Sequence, residues 1–259
     1  MSKCKCLCNV RESVNLAPGV FSLWLEASDI AEQAVPGQFV SLYCKEKDRL
    51  LPRPISICEV DKEKGLLRLV YRVVGEGTKE FSGLKAGESI EVMGPLGNGY
   101  EKKGERPLLI GGGIGIPPML ELMKQCSGNA TVVLGYRDAH LFLKEEFEKY
   151  GKVVIATDDG SVGTKGTVID AIRDQNVLES GGIDVIYSCG PTPMLRGVKA
   201  FGLEHDIPVY LSLEERMACG IGACLACVCQ SSEVDDHSKV TNKRVCKDGP
   251  VFLSTEVEL

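Results

Sequence analysis

Four cysteines carry the clearest chemistry in this chain: Cys219, Cys224 and Cys227 within Cys219-Gly220-Ile221-Gly222-Ala223-Cys224-Leu225-Ala226-Cys227, and Cys246 just before Asp248-Gly249-Pro250. Their C-x4-C-x2-C and distant C spacing is the pattern of thiolates around a two-iron cluster. Gly220, Gly222, Ala223 and Ala226 are small enough for the backbone to wrap an inorganic core and aim N–H groups at its sulfurs, contacts that help set a reduction potential. Structural zinc is the alternative, but it favours paired C-x2-C knuckles and tolerates bulkier residues between them. Cys229 is a further thiol within reach of the same loop. The pattern predicts a [2Fe-2S] electron carrier.

A second group of residues offers a phosphate site. The apolar stretch Leu108 to Ile110 runs into Gly111-Gly112-Gly113-Ile114-Gly115, after which Pro117-Pro118 opens a helix. Glycines let a backbone approach a pyrophosphate closely, and the helix start supplies free N–H groups. The dinucleotide fingerprint is incomplete, because G-x-G-x-x-G ends on Ile116 or on Pro118, so a plain tight turn remains open. Gly111, Gly113 and Gly115 are the candidates, with Asp138, about twenty residues further on, for a ribose hydroxyl. Arg137 beside it leaves NAD and NADP both open. Cys189 and Gly190, at the end of a later strand, belong to the same edge.

A third set lies upstream. Arg53-Pro54-Ile55-Ser56 combines a fixed cation, a stiff backbone and a hydroxyl, while Tyr71-Arg72 and Gly75-Glu76-Gly77-Thr78 form a strand end and an anion-binding turn. Taken singly, Arg53 also reads as a surface ion pair and Tyr71 as a core aromatic.

These residues need elements to hold them. Val20 to Glu26, Phe39 to Cys44, Ile55 to Val60, Leu66 to Val73 and Ser89 to Met93 read as short strands separated by turns, which predicts a small β-barrel. Cys4, Cys6, Cys8 and Val10 alternate at period two on one further strand. Core packing and a C-x-C-x-C metal site are the two readings of those cysteines. From Pro107 the rhythm becomes strand and helix in alternation: strands at Thr131 to Tyr136, Val153 to Thr157 and Ile183 to Ser188, helices at Met119 to Cys126, Leu141 to Tyr150, Thr167 to Asp174 and Met194 to Glu204. That rhythm predicts a doubly wound parallel sheet. The expected division is 1–99 for the barrel, 100–210 for the α/β domain and 211–259 for the cysteine-rich subdomain.

Composition narrows the class. Twelve cysteines in 259 residues fall below the density of a disulfide scaffold. No apolar run follows Met1-Ser2-Lys3, so no signal peptide is expected, and reduced thiols in a cytoplasmic protein are. The formal charge of -6 comes from interspersed acids and bases, and no stretch reaches membrane-spanning length. Neither nucleic acid nor membrane is expected as a partner.

With Arg53-Pro54-Ile55-Ser56, then Gly111 to Gly115, then Cys189-Gly190-Pro191, the order of parts resembles the ferredoxin reductase family. That resemblance implies a six-stranded antiparallel barrel for FAD and a second domain for NAD. It would give Arg53, Pro54, Ile55, Ser56, Val70, Tyr71, Arg72, Gly77 and Thr78 to FAD. The tail, from Ser212-Leu213-Glu214-Glu215-Arg216-Met217 to Cys246-Lys247-Asp248-Gly249-Pro250-Val251-Phe252, is similar to that of the electron-transfer subunits of type B, NAD-dependent dihydroorotate dehydrogenases. It implies Cys219, Cys224, Cys227 and Cys246 as ligands of the cluster. By the same resemblance an FMN-containing catalytic subunit would oxidise dihydroorotate in pyrimidine biosynthesis, in a heterotetramer of two of each chain, and electrons would pass through cluster and FAD to NAD+. No catalytic residue for that oxidation is expected here. An NAD(P)H-dependent ferredoxin or sulfide reductase subunit of the same fold is the alternative, and a zinc-stabilised or redox-sensing module a more distant one.

Overall fold

The computed structural model describes residues 4–46, 48–126, 128–179, 182–232, 234 and 239–259. The first part is a closed antiparallel barrel of six strands: β1 (Cys4–Ala17), β2 (Val20–Glu26), β3 (Phe39–Tyr43), β4 (Arg53–Asp61), β5 (Leu66–Arg72) and β6 (Ser89–Leu96), in the order β1-β2-β5-β4-β3-β6. Alternation explains the closure. Leu23, Leu25, Val40, Leu42, Ile57, Leu67 and Leu69 turn inward and are fully buried, while their sequence neighbours face outward. Cys8 lies in this core, with Cys4 and Cys6 packed against it. The Sγ atoms of Cys6 and Cys8 are 3.5 Å apart. Helix α1 (Ser28–Gln33), absent from the sequence reading, adds Ile30 and Ala31 to the same core, and α2 (Glu76–Ser82) adds Phe81.

The second part is a sheet built on β7 (Pro107–Gly112), β8 (Thr131–Tyr136), β9 (Lys152–Thr157), the short β10 (Thr164–Lys165), β11 (Val185–Cys189) and β12 (Val209–Ser212). Leu108, Leu109, Ile110, Val132, Val133, Leu134 and Ile186 are all fully buried, the mark of parallel strands covered on both faces. Helices α3 (Pro118–Gln125), α4 (Lys144–Phe147), α5 (Val168–Asp174) and α6 (Thr192–Glu204) cover it. The helix expected over Leu141 to Tyr150 is a single turn. Leu143, at its entrance, has φ 67°, a left-handed conformation that an α-helix cannot run through.

The tail adds the ribbon β13 (Val228–Gln230) and β14 (Asn242–Arg244), and then β15 (Val251–Leu253), which pairs antiparallel with β12. The final sheet order is β10-β9-β8-β7-β11-β12-β15, so the cysteine-rich segment is hydrogen-bonded into the nucleotide sheet. Asn98, just past β6, stitches it to the barrel as well. Its side chain donates to the carbonyls of Asp248 and Val251 at 3.1 and 2.9 Å and accepts from Val251 N at 3.0 Å.

A charged network locks barrel to sheet. Arg68, 7% exposed, donates to Ser22 Oγ at 2.9 Å and Glu59 Oε2 at 3.2 Å, and grips Glu146 on α4. Lys124 on α3 reaches Glu59 at 3.0 Å and Glu121 at 3.3 Å, and Glu121 accepts from Val60 N at 2.9 Å. Buried charges persist only when paired in this way, so the network holds the two parts in one orientation. Among the described residues no helix is long and apolar enough to cross a membrane.

Candidate functional site

The cysteine loop turns its amides inward. Gly220 and Gly222 sit at φ 68° and 86°, where a side chain would be strained. A Cβ at Gly222 would also lie 2.7 Å from the Lys247 side chain. With those turns in place, Ala223 N donates to Cys219 Sγ at 3.3 Å, Gly222 N to Cys246 Sγ at 3.1 Å and Cys246 N to Cys227 Sγ at 3.4 Å. Arg244 braces the loop, donating to Gly222 O at 3.2 Å while paired with Asp248 at 3.0 Å. Burial opposes ionisation of Cys219, yet the amides of Ile221, Ala223 and Cys224, with the Cys224 side chain, bring it down to about 6. Cys246 goes the other way, pushed up to about 12 by burial and then by the adjacent Cys227. Among the described residues no three Cys, His, Asp or Glu side chains already form a closed metal cage. The fit to a cluster rests on the donor set: soft thiols in a nest of aimed N–H groups. Cys229 stands on β13 opposite Lys243, its side chain against the apolar cluster.

The barrel face meeting this loop is the one that carries the flavin candidates. Residues paired across neighbouring strands share a face, and Phe39 pairs with Ser56 and Ser41 with Pro54. Phe39 packs in the same apolar cluster as Cys227 and Cys246, and a Cβ at Gly220 would lie 3.0 Å from Ser41 Oγ. The cluster loop therefore abuts the outer face of β3 and β6, where Gly220 also meets Leu96 and Met93, and Pro54 and Ser56 of β4 continue that face. The ladder between β4 and β5 runs from Asp61↔Leu66 to Ile57↔Leu69 and stops there. Arg53 to Ser56 and Val70 to Arg72 thus have unladdered edges that turn toward one another, a split whose backbone groups can bind a planar ring.

The candidates in that split divide by face. Ile55 and Tyr71 point into the barrel core, so only their backbone is offered to a ligand. Tyr71 Oη is buried on the core side with no hydrogen-bond partner. Val70 packs on the side of the nucleotide domain. Arg53 lies across Gly77, where a Cβ would come within 2.7 Å of Nε, and Thr78 Oγ1 accepts from Val74 N at 3.0 Å and Gly75 N at 3.2 Å. Guanidinium and turn amides together make an anion site fit for a flavin nucleotide's phosphates.

Arg72 reaches around to a cavity of about 560 Å³ at the carboxyl ends of the parallel strands. Its floor is Gly112 to Gly115, a 3-10 turn leading into α3. A side chain at Gly115 would strike the backbone of Cys189 and Gly190, so that glycine is required by close approach, whereas one at Gly190 would meet only the mobile end of Met194 at the shortest distance. Gly190 lines the cavity, whereas Cys189 is buried and shapes it through its backbone. Asp138 is taken up by His140, accepting from its backbone N at 2.9 Å and lying 2.7 Å from Nδ1. Arg137 and Asp158 line the cavity on that side, with Gly166 and Thr167, while Glu214 lines it from beyond the end of β12. Sequence reasoning passed over Asp158, Thr167 and Glu214, although each follows an apolar strand or opens a helix at the edge where such sheets bind ligands.

Comparison with known proteins accords with this geometry. An oxidoreductase FAD-binding domain is matched over residues 5–100, an oxidoreductase NAD-binding domain over 109–200, and the iron-sulfur cluster binding domain of dihydroorotate dehydrogenase B over 214–258. The dihydroorotate dehydrogenase B (NAD(+)) electron transfer subunit of Fusobacterium nucleatum subsp. nucleatum is 43% identical, over 97% of this chain and 98% of its own. This chain belongs to that family. Its counterpart in Listeria monocytogenes serotype 4a is 47% identical over 96% of this chain and 97% of its own. Among solved structures, one described as NADH-dependent reduced ferredoxin-NADP oxidoreductase superposes with a TM-score of 0.86 at 32% identity, covering 98% of this chain and 90% of that one. The ferredoxin reductase in carbazole 1,9a-dioxygenase, at 20% identity and a TM-score of 0.69 over 82% of this chain and 69% of its own, shares the fold.

Proposed function

We propose that this chain is the electron-transfer subunit of a type B dihydroorotate dehydrogenase, carrying electrons from a separate FMN-containing catalytic subunit to NAD+. The observation that supports this most directly is one barrel face standing between two sites. Ser41 abuts the cysteine loop, Pro54 and Ser56 share its face as the strand partners of Ser41 and Phe39, and Arg72 borders the dinucleotide cavity. A flavin bound on that face supplies the exchange between two-electron hydride transfer and the one-electron traffic of an iron-sulfur cluster. Arg53 and the turn at Gly77-Thr78 would hold its phosphates, and the unladdered backbone of Pro54 to Ser56 and Val70 to Arg72 its ring. Cys219, Cys224, Cys227 and Cys246 would ligate a [2Fe-2S] cluster. Gly111, Gly113, Gly115 and Gly190 would admit the dinucleotide. The working units are 1–99 for FAD, 100–210 for NAD and 211–259 for the cluster, in an assembly of two of each subunit.

The division of labour is testable. The isolated chain, loaded with FAD and cluster, oxidises NADH with artificial acceptors and leaves dihydroorotate untouched until the FMN subunit is added. Dihydroorotate oxidation by the partner-free chain overturns the proposal. A chain that reduces ferredoxin and forms no complex with the catalytic subunit points to the ferredoxin-linked alternative, which the 32% identical structure keeps in view.

A further inference from the structure

The charged network between barrel and sheet lies away from the dinucleotide cavity, yet two of the elements that carry it run to that cavity. Arg68 stands on β5, whose far end, Arg72, borders the cavity. Glu121 and Lys124 stand on α3, which opens just after Gly113 to Gly115 on the cavity floor. From Arg68 to Arg72 a strand covers about 13 Å, and from Gly115 to Lys124 a helix covers about 14 Å. Two rods of similar length are thus tied together at the network, and both end at the cavity.

The tie is directional. Arg68 Nη1 and Nη2 both grip the Glu146 carboxylate on α4, the second at 3.1 Å, and two parallel N–H bonds fix an angle as well as a distance. Nε is held by Ser22 Oγ at 2.9 Å, and the guanidinium lies 5.5 Å from the Trp24 ring centre. Glu59 is shared, with Oε2 accepting from Arg68 at 3.2 Å and Oε1 from Lys124 at 3.0 Å. Val60 is held by both backbone groups, its N–H donating to Glu121 at 2.9 Å and its carbonyl accepting from Lys124 at 3.5 Å. Elsewhere the two parts meet through apolar packing, with Cys58 and Val70 of the barrel in one cluster with Met119, Leu120 and Met123 of α3. Apolar burial is non-directional, so it lets the parts slide where the ionic fork does not.

We propose that Arg68, with Glu146 and the Glu59–Lys124 pair, is a positioning device for hydride transfer: it sets how barrel and sheet close on each other, and so the gap between flavin ring and nicotinamide. A hydride leaves NADH with its electron pair, NAD+ forms, and the flavin is reduced by two electrons. That step needs the two rings in contact, and about 1 Å of misplacement costs on the order of a hundredfold in rate.

This rests on the proposed placement of flavin and dinucleotide, so the test reads binding and transfer separately. The FAD- and cluster-loaded protein is mixed with NADH without oxygen, and stopped-flow absorbance follows the flavin–nicotinamide charge-transfer band and then flavin bleaching in the FAD-loaded fraction. Arg68→Met slows bleaching roughly 10- to 100-fold and weakens the charge-transfer band, while FAD content, cluster content and ADP-ribose affinity stay at the parent's values. Arg68→Lys, which keeps the cation but not the fork, recovers part of the rate. Glu146→Gln, on the more exposed partner, shows the same pattern at smaller size and carries the test if Arg68→Met fails to fold. A purely structural network would lower melting temperature and cofactor content but leave the rate of the loaded fraction alone. An unchanged rate and band in Arg68→Met and Glu146→Gln, or in Glu146→Gln where only that variant folds, therefore overturns the positioning role while the sites stand. Failure of NADH to reduce the parent's flavin overturns the proposed function, and this inference with it.

Discussion

The cysteine loop and the dinucleotide cavity are both nests of backbone N–H groups shaped by glycine, yet they are built on opposite plans. The loop is local: all but one of its donors and three of its four thiols lie between Cys219 and Cys227, and Arg244 braces it from the neighbouring ribbon strand. The cavity is distributed, with walls from Arg72 of the barrel, Gly112 to Gly115, Arg137, Asp158, Thr167, Gly190 and Glu214. A local site can assemble on its own segment once the ligands are close, because little loop-closure entropy remains to be lost. A distributed site exists only when the whole sheet has formed, and it inherits the sheet's rigidity. A tightly held cluster and an exchangeable dinucleotide suit these two plans.

The largest effect should come from cutting the local site. Cys219→Ser, Cys224→Ser, Cys227→Ser and Cys246→Ser each abolish the cluster, since serine oxygen is a poor ligand for soft metals, while Cys229→Ser retains it. Iron and acid-labile sulfide analysis decides this. NAD+ affinity should survive in the same variants, and its collapse would mean that the two sites are not separable. Next in size is the flavin face between them. Arg53→Ala removes a charge-assisted phosphate contact worth about 1.5–3 kcal/mol, or roughly ten- to a hundredfold in FAD affinity. An FAD titration of the apoprotein that shows no change would move the flavin elsewhere.

Gly115→Ala tests the distributed site. Its Cβ meets the backbone of Cys189 and Gly190, which a sheet strand cannot easily yield, so a cost of about 1–3 kcal/mol is expected in thermal unfolding, with weakened NAD+ binding. Cluster content should be unchanged. The smallest effect concerns the helix start that forms the cavity's far wall. Hydrogen bonds from the Thr167 side chain and backbone hold the Asp170 carboxyl below the usual carboxylate range. Its contribution is therefore fully present above the unfolded value of about 3.9 and is lost as pH falls through the lower folded value. Asp170→Asn should cost only about 0.5 kcal/mol at neutral pH, because the pair is solvated, and should flatten the fall in melting temperature between about pH 5 and 3.

The four ligand candidates and the glycine turn were legible because their chemistry is written in adjacent residues. Asp138 shows the limit of that kind of reading. Its distance from the glycine loop suits a ribose contact, but its carboxylate closes a local turn with His140, and spacing cannot tell these uses apart. Asp158 carries no motif at all, and Glu214 was read only as part of the tail stretch Ser212 to Met217, with no site role. Likewise Tyr71 stands in the expected strand, but its direction into the barrel core depends on the register of β5 against β2.

Periodicity and cysteine spacing in the sequence were enough to determine a barrel, a parallel α/β sheet and a thiolate loop, because strand alternation, buried apolar runs and metal-ligand spacing are all properties of short segments. Only the tertiary structure decided that β15 joins the nucleotide sheet, that Gly220 packs against Ser41 on the face proposed for the flavin, and that Arg72 and Glu214 line one cavity. Those facts depend on packing between segments tens of residues to more than a hundred residues apart in sequence, where many arrangements satisfy the same local preferences and burial of the shared apolar surface selects one.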